Sequence, residues 1–180
     1  MKAKISKIKS LILSMLLIML FTQCFSFKED DILSLPLIPY TGNQLRIDGY
    51  YYWMYTAIDG DKLFRAYAFY NNGIILDLGG GYSSINELEE IVTKYSSNYK
   101  KNKIGWGVFV IENNIIKFER WYPSERPYRA YIREGVILND TTFHITKSYR
   151  SNGTQQDTEN EIYHFRPFSP KPDSTNDFIK

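Results

Sequence analysis

The sequence predicts a mainly β protein: an eight-stranded antiparallel up-and-down barrel with one amphipathic helix after the third strand. Three observations lead there. Between Leu45 and Phe168 eight segments have the alternation and the β-branched and aromatic content of strands, and turn residues separate most of them. Treated as tight hairpins, those turns bring apolar residues together on one side. A single stretch, Ile85 to Tyr99, changes to helical spacing. A curved open antiparallel sheet packed on that helix is the alternative architecture.

The strand segments are Leu45–Tyr55, Leu63–Tyr70, Ile74–Leu78, Trp106–Glu112, Ile115–Tyr122, Tyr128–Leu138, Thr141–Arg150 and Glu161–Phe168. Asn71-Asn72-Gly73, Asn113-Asn114 and Asn139-Asp140 tolerate the positive φ that tight turns require. The first turn places Tyr70 against Ile74, Ala68 against Leu76 and Ala66 against Leu78. The second sets Ile111 opposite Ile116 and Phe109 opposite Phe118 on one face. On the other face it sets Val110 opposite Lys117, Val108 opposite Glu119 and Trp106 opposite Trp121. A two-residue turn at Asn139-Asp140 pairs Val136 with Phe143, Glu134 with Ile145 and Ile132 with Lys147. This register points Arg120, Glu134 and Lys147 inward.

In the helix, Ile85, Leu88, Ile91, Val92, Tyr95 and Tyr99 share one face, with Glu87, Glu89, Glu90 and Lys94 on the other. Ser84-Ile85-Asn86-Glu87 fits a capping box. The Trp106/Trp121 pair is the expected surface beneath the helix. Strand number and order over residues 45 to 168 resemble the lipocalin-like domains of bacterial lipoproteins, and Gly49-Tyr50-Tyr51-Tyr52-Trp53 is loosely similar to their Gly-x-Trp opening. The resemblance implies a barrel that can hold a small molecule.

At the N-terminus Lys2, Lys4, Lys7 and Lys9 precede an apolar run from Leu11 to Phe21, too short to span a bilayer. The run leads to Phe21-Thr22-Gln23-Cys24, and Cys24 is the chain's one cysteine. These residues resemble a bacterial lipobox, with Gln23 where a small residue is usual and Phe21 where Leu is usual. The resemblance implies a signal peptide over residues 1–23, acylation of Cys24 and attachment to the cell envelope at the outer membrane, on its periplasmic face or at the cell surface. Cleavage after Ser26 is the alternative. Residues 24–44 read as the lipidated cysteine and a flexible tether, residues 45–168 as the barrel and residues 169–180 as a disordered tail. Lys28-Glu29-Asp30-Asp31 resembles the acidic signal of some surface lipoproteins; a solvated linker is the other reading.

The chain's 180 residues carry 22 basic and 20 acidic side chains, but residues 1–23 hold four of the lysines and no acid. The processed domain is therefore slightly acidic, which argues against nucleic acid as a partner. One cysteine excludes a disulfide framework. Gly79-Gly80-Gly81 lacks the Gly-Lys-Ser/Thr ending of a phosphate loop and reads as a flexible strand-to-helix turn. His144 and His164 have no metal-ligand spacing, so no metal or cofactor is expected, and no catalytic set stands out.

The informative excess is 15 Tyr, 11 Phe and 3 Trp. Core packing is the ordinary explanation for such residues in a small barrel. Arg120, Glu134 and Lys147 with Tyr51, Trp53, Tyr55 and Tyr70 instead compose an apolar pocket with a few polar groups, suited to a small hydrophobic or amphipathic ligand. An internal salt bridge between Glu134 and one of the cations is the competing account. Arg126 and Arg129, beside Trp121 and Tyr122, form a basic-aromatic cluster that reads either as a contact surface for glycan or protein or as a solvated loop. Two functional classes follow: an envelope-anchored binding module, and an envelope interaction protein working through its outer face.

Overall fold

A computed structural model describes residues 29–123 and 126–180. The strands are β1 (Gly49–Thr56), β2 (Lys62–Phe69), β3 (Ile74–Tyr82), β4 (Trp106–Glu112), β5 (Ile115–Tyr122), β6 (Arg129–Asn139), β7 (Thr142–Arg150) and β8 (Asp157–Pro167). They form a closed antiparallel barrel in sequential order, and β8 pairs with β1 through Tyr51 opposite Phe165. Closure removes every sheet edge. The helix α1 (Ile85–Lys94) follows β3, and two short 3₁₀ turns carry the chain on to β4. The Ser84 side chain accepts the backbone N–H of Glu87, and the Glu87 carboxylate in return accepts the N–H and hydroxyl of Ser83. No helix among the described residues is long and apolar enough to cross a membrane.

The β4–β5 register is the one that the Asn113-Asn114 turn predicts, with Phe109 opposite Phe118 and Ile111 opposite Ile116. Both asparagines adopt positive φ. In β2–β3, Ala68 meets Leu76 as expected, but a bulge beyond Tyr67 sets Ala66 opposite Gly79 rather than Leu78. Gly79–Gly81 is accordingly the last part of β3 and not a turn.

The β6–β7 register departs from expectation. The Asn139 side chain accepts the N–H and hydroxyl of Thr141, which moves the turn one residue onward and pairs Asn139 with Thr142. Ile137 then faces Phe143, Val136 faces His144 and Gly135 faces Ile145. A second bulge sets Glu134 opposite Lys147. Because side chains alternate, one residue of slip exchanges the faces. Ile137, Phe143 and Ile145 fill the interior, whereas Val136, Glu134 and Lys147 lie on the outer wall.

Two apolar layers result. Inside the barrel, Tyr51, Phe69, Phe109, Phe118, Phe143 and Tyr163 are all at most 1 % exposed. Their rings meet at centroid distances from 4.8 Å (Phe143–Tyr163) to 6.1 Å (Phe69–Phe118), mostly tilted or edge-on. Outside, α1 lays Leu88 and Val92 on Tyr50, Ala66, Ala68, Leu76 and Trp106. Trp106 is thus covered as expected, while Trp121 belongs to a different contact.

The segments on either side of the barrel are held to it. Residues 29–44, where a flexible tether is expected, run down the outer wall. Glu119, fully buried on β5, accepts the backbone N–H groups of Ser34 and Leu35, each at 2.6 Å. Farther on, Tyr40 packs on Phe109 and its hydroxyl accepts the N–H of Leu45, which closes the barrel end. Residues 169–180, expected to fray, cross the α1 side. Tyr70 donates to the carbonyl of Pro172 at 2.6 Å, and Phe178 and Ile179 pack on the outer layer. Buried polar partners on the barrel decide this, and the composition of the two segments does not display them.

Candidate functional site

The β1–β2, β5–β6 and β7–β8 connections lie at one end of the barrel, the mouth; the β2–β3, β4–β5 and β6–β7 turns lie at the other, the floor. Aromatic rings fill the floor half. The inward positions nearer the mouth are of another kind: Trp53 and Tyr55 from β1, Arg65 and Tyr67 from β2, Asp77 from β3, Arg120 and Tyr122 from β5, Arg133 from β6, and Glu161 and Tyr163 from β8.

Asp77 is the hub of one half of this cluster. Arg65 reaches its carboxylate at 2.7 Å and Arg120 at 2.9 Å, and the Gly79 N–H donates to its other oxygen at 2.9 Å. Arg65 also donates to the Tyr67 hydroxyl at 3.0 Å. The Arg120 guanidinium stacks on the Tyr122 ring, 4.0 Å from its centroid. Gly107 stands opposite Arg120, where a β-carbon would come within 2.7 Å of the arginine's own. The other half is built on Arg133, which donates to the Tyr122 hydroxyl at 2.8 Å and to the Glu161 carboxylate. Tyr163 donates to the same carboxylate at 3.1 Å, and Glu159 lies 3.6 Å from Arg133 at the rim.

Charge placement follows from these contacts. Burial opposes ionisation of Asp77, but Arg120 and Arg65 outweigh it and hold the carboxyl below its usual range. Burial likewise opposes the charge on Arg120, and Asp77 and the surrounding tyrosines reverse that effect. At Glu161 burial prevails over Arg133 and pushes the carboxyl up. Tyr67 and Tyr163 are raised chiefly by burial, so both stay neutral. One polar atom of the cluster, Nε of the buried Arg120, has no partner.

The residues expected to line a pocket divide. Tyr51, Trp53, Tyr55 and Arg120 do point into the barrel. Tyr51 is sealed in the floor half, its hydroxyl donating to the Asp140 carbonyl at 2.7 Å. Trp53 and Tyr55 stack on each other near the mouth, 5.0 Å apart and half-buried. Tyr70 sits on the outer wall beneath the C-terminal segment. Glu134 and Lys147 form an ion pair on the outer wall, 3.0 Å apart, with Tyr149 also donating to Glu134. An ion pair involving Glu134 exists, then, but outside the barrel. Arg65, Asp77, Arg133 and Glu161 were missed. The signal for Arg65 and Glu161 was present in Arg65-x-Tyr67-x-Phe69 and Glu161-x-Tyr163-x-Phe165, each alternating one charged with two aromatic residues on one pleat.

Other candidates resolve into structural roles. Arg129 pairs with Asp31 at 3.0 Å and Trp121 donates to the Asp31 carbonyl at 2.6 Å, so the basic-aromatic cluster grips the N-terminal segment. His144 contacts Asn160, and His164 lies beside Tyr52 on the outer wall. Among the described residues no three His, Cys, Asp or Glu side chains converge as metal ligands do. Cys24 lies outside the described residues.

No family model matches the chain. No curated protein and no solved structure matches it either.

Proposed function

We propose that this is a lipid-anchored cell-envelope protein that binds a small amphipathic molecule at the barrel mouth, as a carrier or sensor and not as an enzyme. The observation behind this reading is the arginine–tyrosine cluster on the mouth side of a barrel whose floor half is filled with aromatic rings. The Arg65 side chain keeps 30 % of its surface exposed and Arg133 12 %, so both are reachable from the mouth while their partners hold them in place. Guanidinium forks favour carboxylate or phosphate. The stacked Trp53 and Tyr55 offer a flat apolar surface beside them. An anionic head on the arginines with an apolar body against the two rings is the mode of binding that these residues suit. The filled floor half argues for a ligand at the mouth over one enclosed deep in the barrel.

The envelope address rests on the lipobox-like Phe21-Thr22-Gln23-Cys24. The test is native mass spectrometry of the full chain purified from its own host, supported by Trp53→Ala. The expected result is a small-molecule adduct that denaturation removes and the substitution weakens. A bare mass that persists with host extract added would refute it. The weight would then move to the outer-wall groove of about 420 Å³ around Tyr52, Met54, Phe64 and Ile162, and to protein or glycan partners.

A further inference from the structure

We propose that the segment around Asp30 and Asp31 holds the barrel with its mouth turned toward a lipid bilayer. The inference rests on the reading of Cys24 as the acylated residue and adds an orientation to it.

The length of the leash decides the orientation. If residues 24–44 were free, about 21 residues would separate the anchor from the barrel and span up to roughly 70 Å, which leaves the barrel unoriented. Instead the chain is fastened at the mouth rim. The Asp31 carboxylate takes Arg129 at 3.0 Å, Arg150 at 3.1 Å and the Ala130 N–H at 3.2 Å. Its backbone N–H donates to the Tyr128 carbonyl at 2.9 Å, and its carbonyl accepts from the Trp121 indole. Asp30 accepts from Lys103 at 2.8 Å and from the Tyr128 N–H at 2.7 Å. Arg129 begins β6 and Arg150 ends β7, both at the mouth.

Five residues then separate Cys24 from Asp30, six Cα–Cα steps with a reach of at most roughly 21 Å. Strand β6 has 11 residues; at ordinary rise and tilt it carries the wall roughly 28 Å along the barrel axis. The leash is shorter than the barrel. Setting the floor on the membrane would place the fastened rim beyond reach of the anchor, whereas setting the mouth there satisfies it. The mouth rim, where Asp30 and Asp31 are fastened, thereby stays within roughly 21 Å of the anchored cysteine, so Arg65, Arg133 and the Trp53/Tyr55 stack belong to the bilayer-proximal end and an amphipathic ligand would arrive from the bilayer.

The test uses the full-length acylated protein in phosphatidylcholine vesicles containing headgroup nitroxide lipid. A thiol-reactive fluorophore is placed at Ile58→Cys, in the fully exposed β1–β2 turn at the mouth, or at Leu138→Cys, exposed at the floor end of β6. Acylation blocks the Cys24 thiol. The expected result is quenching several-fold stronger at position 58 than at 138, with the contrast diminished by the double substitution Asp30→Ala/Asp31→Ala, which removes both carboxylates that fasten the leash at the rim. Equal quenching at both positions, or stronger quenching at 138, in protein whose intact mass includes the acyl chains would overturn the orientation and leave the anchor standing. Absence of acyl mass, with Cys24 open to the fluorophore, would overturn the anchor reading and the orientation with it.

Discussion

Asp77→Asn is the substitution that interrogates the mouth cluster most directly. The carboxylate is 9 % exposed and shared by Arg65 and Arg120, and its second oxygen accepts the Gly79 N–H. An asparagine retains the last bond but turns an amide donor toward two guanidinium donors. Breaking a buried pair by removing one partner costs about 3–5 kcal/mol, because the remaining charge stays buried without compensation. Here two cations share the loss, one of them only 2 % exposed, which places the expected penalty in the upper part of that range. For a domain of this size that is a fall in Tm on the order of 10 °C. The pH dependence adds a second check. Asp77 is held below its unfolded value, so its stabilisation is fully present above the ordinary carboxylate range and is lost as pH falls through the folded value. The gap between parent and variant, followed by thermal unfolding from neutral pH downward, should therefore close in acid. A variant within about 1 kcal/mol of the parent at neutral pH, or a gap that widens in acid, would refute the account of Asp77 as the hub.

Glu161→Gln should behave oppositely. The folded carboxyl is raised above its unfolded value, so ionised Glu161 loses stability as pH rises through that folded value, and the amide variant should gain on the parent toward neutrality in the same unfolding assay. Ile137→Lys should unfold the barrel at ambient temperature, since it drives a charge against Phe143, while Val136→Lys on the outer wall should change stability by no more than about 1 kcal/mol; circular dichroism distinguishes them, and the reverse order would restore the unshifted β6–β7 register. Glu119→Ala removes the acceptor of two backbone N–H groups and should make residues 29–44 the first site of limited proteolysis with the barrel intact; unchanged cleavage kinetics would refute its role as their fastening. Cys24→Ala should release the protein from membranes on fractionation; a variant that stays with them and still carries acyl mass would refute the lipobox reading.

Much of the architecture is legible in the chain itself. Turn asparagines and two-residue alternation are local, so the strands, their order and the β4–β5 register follow from neighbours in the chain. The helix is equally local, marked by its cap and its spacing. The β6–β7 register was not legible in the same way. It depends on an Asn139 side chain bonding two residues ahead and on a bulge at Glu134/Gly135, neither of which alternation encodes. That single residue of slip carried Glu134 and Lys147 out of the expected pocket.

The sequence by itself determined that this is a meander of eight strands with one helix and an aromatic interior, because each of those properties is settled within a few residues of chain. Only the tertiary structure decided that Arg65, Asp77, Arg120, Arg133 and Glu161, drawn from five different strands, share the barrel mouth. Only it decided that Asp31 is fastened by Arg129 and Arg150, about 100 residues away or more. The physical reason is the same in both cases. A charge drawn wholly or partly out of water needs a partner, and strand closure, not sequence proximity, selects which partners meet.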